Sequence, residues 1–382
     1  MKNSHPLSDS LKAVGRHVAH DGAAMADSIH RALAQAGLTE GSGGMFDSTR
    51  RALADVGLMA PVQAPSHARA DDAAHPADTD DGEPLASQPG AMTRHRHRSA
   101  HGSRSYLLYE PRQKAERPAL IVMLHGCSQT PEDFARGTQM NALAEQHGFL
   151  VAYPAQSANA NGSKCWNWFR IEDQLRDQGE PALIAGITRD VAARHRVDSR
   201  RIFVAGLSAG ASMAVILGAT YPDLYAAVGA HSGLPYAAAQ DMSSAFAAMQ
   251  GLGGTPGLAG LMEASGLSFP AEPAARRAPV PPTIVFHGDR DHTVVASNGA
   301  HIVAQATHGR GLDSVTDSGS SGDHRHSRTV HRQGNRAVVE HWVVHGAGHA
   351  WSGGDPRGSF AEATGPDASA EMVRFFLQQP AG

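Results

Sequence analysis

The stretch Arg201–Gly218, RIFVAGLSAGASMAVILG, constrains this chain more than any other. A short apolar run, Ile202–Ala205, enters Gly206-Leu207-Ser208-Ala209-Gly210, and a segment rich in Ala, Met, Ile and Leu follows. That pattern predicts a strand, a sharp turn and a helix. The two glycines permit a strained turn where a side chain would collide with the neighbouring strand or helix. The helix then aims its free N–H groups at whatever the Ser208 hydroxyl attacks. Ser208 is therefore the candidate nucleophile. The bland reading of the same residues is a Gly-rich strand–helix turn in another α/β fold.

The surrounding pattern supplies a sheet for that turn. Ala119–Leu124 and Phe149–Tyr153 are continuous apolar runs, as expected of parallel strands buried on both faces. Ala226–Ala230, Thr283–Phe286 and Val338–Val344 read as further strands, and Tyr106–Tyr109 as an edge strand. Thr138–His147, Ile184–Arg196 and Ala368–Leu377 read as helices. Alternating β and α units predict a mostly parallel sheet covered by helices on both faces, and the Gly-x-Ser-x-Gly turn between strand and helix resembles the nucleophile elbow of the α/β-hydrolase fold. Residues 234–278 interrupt the alternation with Ala, Gly, Met and Pro and read as a lid-like insertion. Residues 309–327, rich in Gly, Ser, Asp and His, read as a mobile hairpin tip.

The catalytic part is expected to span 104–382. Ahead of it, 1–59 reads as a helical extension. Leu11, Val14 and Val18 recur at helical spacing, and RALAQAGL is echoed by RALADVGL. Residues 60–103 read as a disordered linker, from the Pro, Ala, Ser and Asp content, the acidic run at 78–83 and the basic Arg94–Arg98. No metal site is expected there, because no Cys or carboxylate is placed to complete a shell. A net charge of −4 argues against a nucleic-acid footprint over the whole chain. No apolar run is long enough to predict a transmembrane helix. The N-terminus lacks the apolar core of a secretory signal.

A serine hydroxyl needs a base, and the base needs an orienting acid. In α/β-hydrolases the chain order is Ser, acid, His. His287-Gly-Asp-Arg-Asp291 follows the strand at 283, and Gly346-Ala-Gly-His349 follows the last strand. Both loops leave the carboxyl ends of strands, the end from which Ser208 emerges. Asp291 is favoured over Asp289, for which turn capping is the alternative. His349 is favoured over His287, His292, His341 and His345 because its Gly-flanked loop can reach Ser208. Two N–H donors are needed for the oxyanion, and the amides of Ala209 and Cys127 are the candidates. Cys127 and Cys165 each follow a buried strand. A bridge between them would stabilise by roughly 3–4 kcal/mol in the chain-entropy model and would imply an oxidising compartment. Two independent thiols are the alternative. Trp166 and Trp168 beside Cys165, Trp351 beside His349, and Gln129 in the Cys127 loop are candidate substrate contacts.

These residues carry a resemblance. LHGCSQTPEDFARGTQMNALAEQHGFLVAYPAQ, CWNWF, GLSAGASMA, HGDRDHTV, GAGHAWSGG and GPDASAEMVRFF occur in that order over about Tyr106–Leu377. Together they resemble the polyhydroxybutyrate depolymerase-type esterases, relatives of feruloyl and acetylxylan esterases. The resemblance implies Ser208, Asp291 and His349 as the triad. It also implies ester hydrolysis through an acyl-enzyme, with no metal and no cofactor. It further implies a disulfide between Cys127 and Cys165 and an extracytoplasmic or secreted location, against which the N-terminus leaves a cytoplasmic one open. Departures are the first hundred residues and the lack of a substrate-binding domain after the catalytic part. The expected substrate is accordingly a short-chain polyhydroxyalkanoate or its oligomers. The alternatives are a feruloyl or acetylxylan ester, and, in another class, a polymer- or granule-binding role with an incidental hydrolase domain.

Overall fold

The computed structural model describes residues 89–252 and 280–379. The helical extension expected over 1–59, residues 60–88 of the expected linker and 253–278 of the expected insertion lie outside the described residues. Among the described residues, no helix is long and apolar enough to cross a membrane.

Six parallel strands form the centre of a ten-stranded sheet. They are β3 (Leu120–Leu124), β4 (Leu150–Pro154), β5 (Ile202–Leu207), β6 (Ala227–His231), β7 (Thr283–Gly288) and β10 (Arg336–Val344). Every residue of β3 to β7 is buried, because helices cover both faces and leave no side for water. Outside β4 lie β2 (Gly102–Glu110) and β1 (Ala91–Ser99). Outside β10 lie β9 (His324–Gln333) and β8 (Asp313–Ser321). These flanking pairs are antiparallel, so the strand order is β1-β2-β4-β3-β5-β6-β7-β10-β9-β8.

Four expectations need correction. The linker expected to reach residue 103 ends earlier, since Ala91–Ser99 pairs with β2 along its whole length, from Ala91↔Glu110 to Ser99↔Gly102. The strand is stabilised by an inward row that polarity disguises. His97 is buried against Asp190, with Nδ1 2.7 Å from Oδ2, and His95 stacks on Tyr106 at 5.2 Å. Tyr106–Tyr109 is consequently second from the edge. Residues 309–327 are also no mobile tip, because 313–321 and 324–333 pair as a regular ribbon around Gly322. A Cβ on Gly322 would lie 2.7 Å from the Thr364 carbonyl oxygen, so the ribbon's turn packs directly on the loop that follows the short strand Ala361–Glu362.

The helix expected over Thr138–His147 is two. Helix α1 (Pro131–Thr138) starts at the Thr130 cap, whose side chain accepts the Asp133 N–H, and stops where Gln139 turns left-handed at φ 53°. Helix α2 (Met140–His147) follows and ends at Gly148 with φ 69°. Next come α3 (Gly179–Arg194), α4 (Ala209–Thr220), α5 (Met242–Met249), α6 (Ser297–Thr307) and α7 (Ala368–Leu377). Helix α4 is buried on every side, which its unbroken small and apolar sequence allows. Helix α7 lies on the other face, with Phe376 stacked on Phe203 at 4.9 Å. Gly229 leaves room for it, since a Cβ there would come within 2.7 Å of Met372 Sδ.

Candidate active site

Three parallel strands deliver the candidate residues to one end of the sheet. Ser208 follows β5 directly, Asp291 lies just beyond β7, and His349 lies just beyond β10. Ser208 has φ 57° and ψ −120°, a strained conformation for a residue with a side chain. The flanking glycines hold it there by close approach. A Cβ on Gly210 would sit 2.0 Å from the Leu124 carbonyl oxygen, and one on Gly206 would sit 2.4 Å from the Gly210 carbonyl carbon. The turn thus lies flush against the end of β3. The Ser208 amide donates to the His231 carbonyl at 2.9 Å, which ties the turn to β6 as well.

Asp291 and His349 meet. His349 Nδ1 donates to Asp291 Oδ2 at 2.7 Å, with the carboxylate fully buried. The other carboxylate oxygen accepts the amides of Thr293 and Val294 at 2.9 and 2.8 Å. Burial alone would push this carboxyl up. The facing His349 and the hydrogen bonds from His287 and His349 outweigh it and hold Asp291 well below the usual carboxylate range. Since Nδ1 carries the proton, Nε2 of a neutral His349 is left as an acceptor. Among the described residues, neither the Ser208 hydroxyl nor the amides of Cys127 and Ala209 have a hydrogen-bond partner. The bond between Ser208 and His349 is therefore not made here. In relays of this kind that contact commonly tightens only with substrate in place.

Two of the rival histidines, His287 and His345, are engaged elsewhere. His287 is buried beneath Asp291 and donates to the Val294 carbonyl at 2.7 Å. His341 is held within β10, and burial pushes its imidazole down to about 4. His345 pairs with Asp289 at 2.8 Å, and His292 is exposed. Asp289 also accepts the Gly346 amide at 2.7 Å.

The Cys127 loop lies beside Ser208, because a Cβ on Gly126 would come 3.7 Å from Ser208 Cβ. Cys127 is bonded to Cys165. Three of the four candidate substrate contacts turn out to hold this region from behind. Gln129 is buried; its Oε1 accepts the Gly126 amide at 2.8 Å, and its Nε2 donates to the Ser359 carbonyl at 2.8 Å. Trp166 is fully buried and donates to the His125 carbonyl at 3.1 Å. Trp351 is core, edge-on to Phe134 at 5.5 Å and bonded through Nε1 to Ser369 Oγ. Residues so enclosed leave no surface for a substrate; Gln129 and Trp166 spend their polar atoms on backbone, and Trp351 on the Ser369 hydroxyl. Trp168, at 7% exposure, packs edge-on against Phe169 and keeps only a thin accessible rim.

Sequence reasoning missed two supports. His231 ends β6, stacks on Trp351 at 5.2 Å, and accepts the Ser352 amide on Nε2 at 3.0 Å. Burial, with the nearby His287 and His349, pushes it down to about 3, so it stays a neutral acceptor. A His ending an apolar strand was the available signal. The second is Glu180, a buried carboxylate that accepts the Asn167 amide at 2.8 Å and also bonds Gln156 Nε2. Gln156 in turn donates to the Cys165 carbonyl at 2.8 Å, so the network steadies the far end of the disulfide.

One support titrates. His324 donates through Nδ1 to the His345 carbonyl at 2.8 Å and through Nε2 to Glu362, which requires both nitrogens protonated. Those two hydrogen bonds raise its pKa above the ordinary histidine value of 6.5. A raised folded value means the contribution is complete below the unfolded value and is lost as pH climbs through the folded one. Thermal midpoints of wild type and His324→Asn should therefore differ most below about pH 6 and converge as pH climbs through the raised folded value. A difference independent of pH would refute the charged clamp.

Among the described residues, no group of three or more His, Cys, Asp or Glu side chains is placed to hold a metal ion. A cavity of about 400 Å³ edged by Tyr225, Pro282, Arg310 and Arg336 lies at the amino ends of β6, β7 and β10, away from Ser208.

Comparison with known proteins bears on this arrangement. Residues 104–329 match the family model described as Esterase PHB depolymerase. Poly(3-hydroxyalkanoate) depolymerase C of Paucimonas lemoignei is 36% identical over 233 residues, 60% of this chain and 54% of that protein. Feruloyl esterase B of Neurospora crassa is 33% identical over 138 residues, 36% of this chain and 46% of that protein. Acetylxylan esterase A of Aspergillus oryzae is 33% identical over 132 residues, 34% of this chain and 41% of that protein. The chain thus spans about half the length of the curated relatives it matches. Among solved structures, an acetyl xylan esterase from Aspergillus awamori superposes with TM-score 0.55 at 19% identity, covering 74% of this chain and 98% of that one. That likeness establishes a shared fold, the α/β-hydrolase fold.

Proposed function

We propose that this chain, which belongs to the Esterase PHB depolymerase family, is a serine ester hydrolase acting on short-chain polyhydroxyalkanoate or its oligomers. The observation that carries the reading is the 2.7 Å bond from His349 to a buried, ionised Asp291, on loops that leave the sheet beside the strained Ser208. In this reading His349 Nε2 takes the Ser208 proton as Oγ adds to the ester carbonyl. Asp291 holds the ring in the required tautomer and stabilises the imidazolium that forms. The oxyanion is met by the amides of Ala209, at the start of α4, and Cys127, fixed by its disulfide. Collapse expels the alcohol, which takes its proton from His349. Water then repeats the sequence to free the acid and Ser208. The relative named poly(3-hydroxyalkanoate) depolymerase C supports the hydroxyalkanoate reading, and Trp168 is the aromatic retained as a substrate contact. The disulfide supports an oxidising, extracytoplasmic location.

The relatives named feruloyl esterase and acetylxylan esterase favour a second reading, a carbohydrate ester. The test treats the full chain with an organophosphonate, maps the adduct by mass spectrometry, and then compares hydroxybutyrate oligomers with methyl ferulate and acetylated xylan. The expected result is a single adduct on Ser208 and the highest kcat/KM on the oligomers. Faster turnover of ferulate or acetylxylan would move the substrate to the second reading. Tight polymer binding without label or turnover would replace the enzyme by a binding protein.

A further inference from the structure

A second carboxylate–imidazole pair stands two residues ahead of Asp291 and four ahead of His349. His345 Nδ1 lies 2.8 Å from Asp289 Oδ2, and Asp289 Oδ1 accepts the Gly346 amide at 2.7 Å. The other ring nitrogen, Nε2, lies 2.9 Å from Ser327 Oγ on β9. A carboxylate only accepts, so Nδ1 is the protonated nitrogen, and in the neutral ring Nε2 accepts the Ser327 hydroxyl. Hydroxyl, imidazole and carboxylate therefore stand in line a second time.

This array lacks what would make Ser327 attack a carbonyl. Ser327 sits within a regular strand, opposite Val343 on one side and Ser318 on the other, with no positive φ and no helix start beside it. What the array does have is position. It joins β9 to the two loops that carry Asp291 and His349. The same loops are laced together by Asp289 N to Val344 O at 3.1 Å and Arg290 N to Ala347 O at 3.0 Å. They run so close that a Cβ on Gly288 would meet the Ala347 carbonyl oxygen at 2.3 Å. The two side chains of the proposed relay hang from this lacing.

We infer that Asp289, through His345 and Ser327, is a positioning group that sets the spacing between the loops bearing Asp291 and His349. The inference rests on the reading that those residues act on an ester. Misplacing a reacting group by about 1 Å costs on the order of 100-fold in rate, so the effect belongs in kcat.

The test measures a short-chain ester with full-length wild type, Asp289→Ala and Ser327→Ala, well below their melting temperatures and per site titrated with phosphonate. Asp289→Ala is expected to lower kcat about 10- to 100-fold with KM within about threefold, and to slow labelling of Ser208 by a similar factor. Asp289→Asn keeps an oxygen for the Gly346 amide and should recover part of that loss. If Asp289→Ala does not fold, Ser327→Ala removes only one hydroxyl and should show the same kcat signature at about 3- to 10-fold. Per-site kcat within about twofold of wild type in the folded variants overturns the inference, as does a loss confined to KM. Label on Ser327 in a Ser208→Ala chain overturns it too, by making Ser327 a nucleophile. A wild-type chain that neither labels nor hydrolyses overturns the underlying reading, and this one with it. An active, labelled wild type beside unaffected variants overturns this one alone.

Discussion

Ser208→Ala is expected to lower kcat on a hydroxybutyrate oligomer by about 10⁶-fold while leaving the fold intact. The size follows from chemistry. Without Oγ there is no acyl-enzyme, and what remains is the residual help of oxyanion donors and binding, about 10³- to 10⁴-fold over water. The intact fold follows from geometry. Ser208 Oγ makes no hydrogen bond among the described residues, so its loss orphans no partner. Alanine bears the strained φ of 57° as serine does, and stability should stay within about 0.5 kcal/mol. Melting curves and turnover per folded molecule check both halves. Hydrolysis persisting above about a thousandth of the wild-type rate would place the nucleophile elsewhere.

How much of this was legible depended on whether burial and local sequence agreed. The central strands were plain because parallel strands covered on both faces become unbroken apolar runs, as in LIVML of β3 and IFVAGL of β5. The turn at Ser208 was plain because both flanking positions exclude a side chain and only glycine satisfies that. The strand β1 was hidden, since TRHRHRS buries its inward row through histidine–carboxylate and histidine–aromatic contacts that polarity scales score as loop. The ribbon of β8 and β9 was hidden likewise. β8 is largely exposed at the sheet edge, and what fixes the ribbon's other strand are His324 and Ser327, bonded to residues distant in sequence. The aromatic and amide residues near the site misled for a related reason. Proximity to Ser208 along the chain says which loop a residue belongs to, not which side of it the residue faces. Trp166, Trp351 and Gln129 face inward, where a rigid site needs support. His231 and Glu180 belong to the same supporting layer and are invisible to motif spacing, because their partners are backbone amides that no sequence pattern names.

Asp291→Asn is expected to lower kcat by about 10⁴-fold with little change in KM. Asparagine can keep its oxygen on the Thr293 and Val294 amides, which now donate to Oδ1. Its amide nitrogen then faces His349 Nδ1 where Oδ2 now accepts at 2.7 Å. Two donors cannot share that contact, so the ring must place its proton on Nε2, and the nitrogen aimed at the nucleophile ceases to be a base. The loops stay in register, because Asp289 and the backbone bonds between them are untouched. The same reasoning fixes the pH behaviour of the wild type. A carboxyl held below its ordinary value of 3.8 contributes stability that is present above that value and is lost only as pH falls through the lower folded one. Asp291 therefore adds no limb to the kcat/KM profile above about pH 4, and any acid limb there belongs to another group. Steady-state kinetics of wild type and Asp291→Asn from about pH 5 to 9, with melting curves at each pH, separate these effects. A loss below about tenfold, or one recovered wholly in KM, would show that the 2.7 Å contact organises the loops without serving the chemistry.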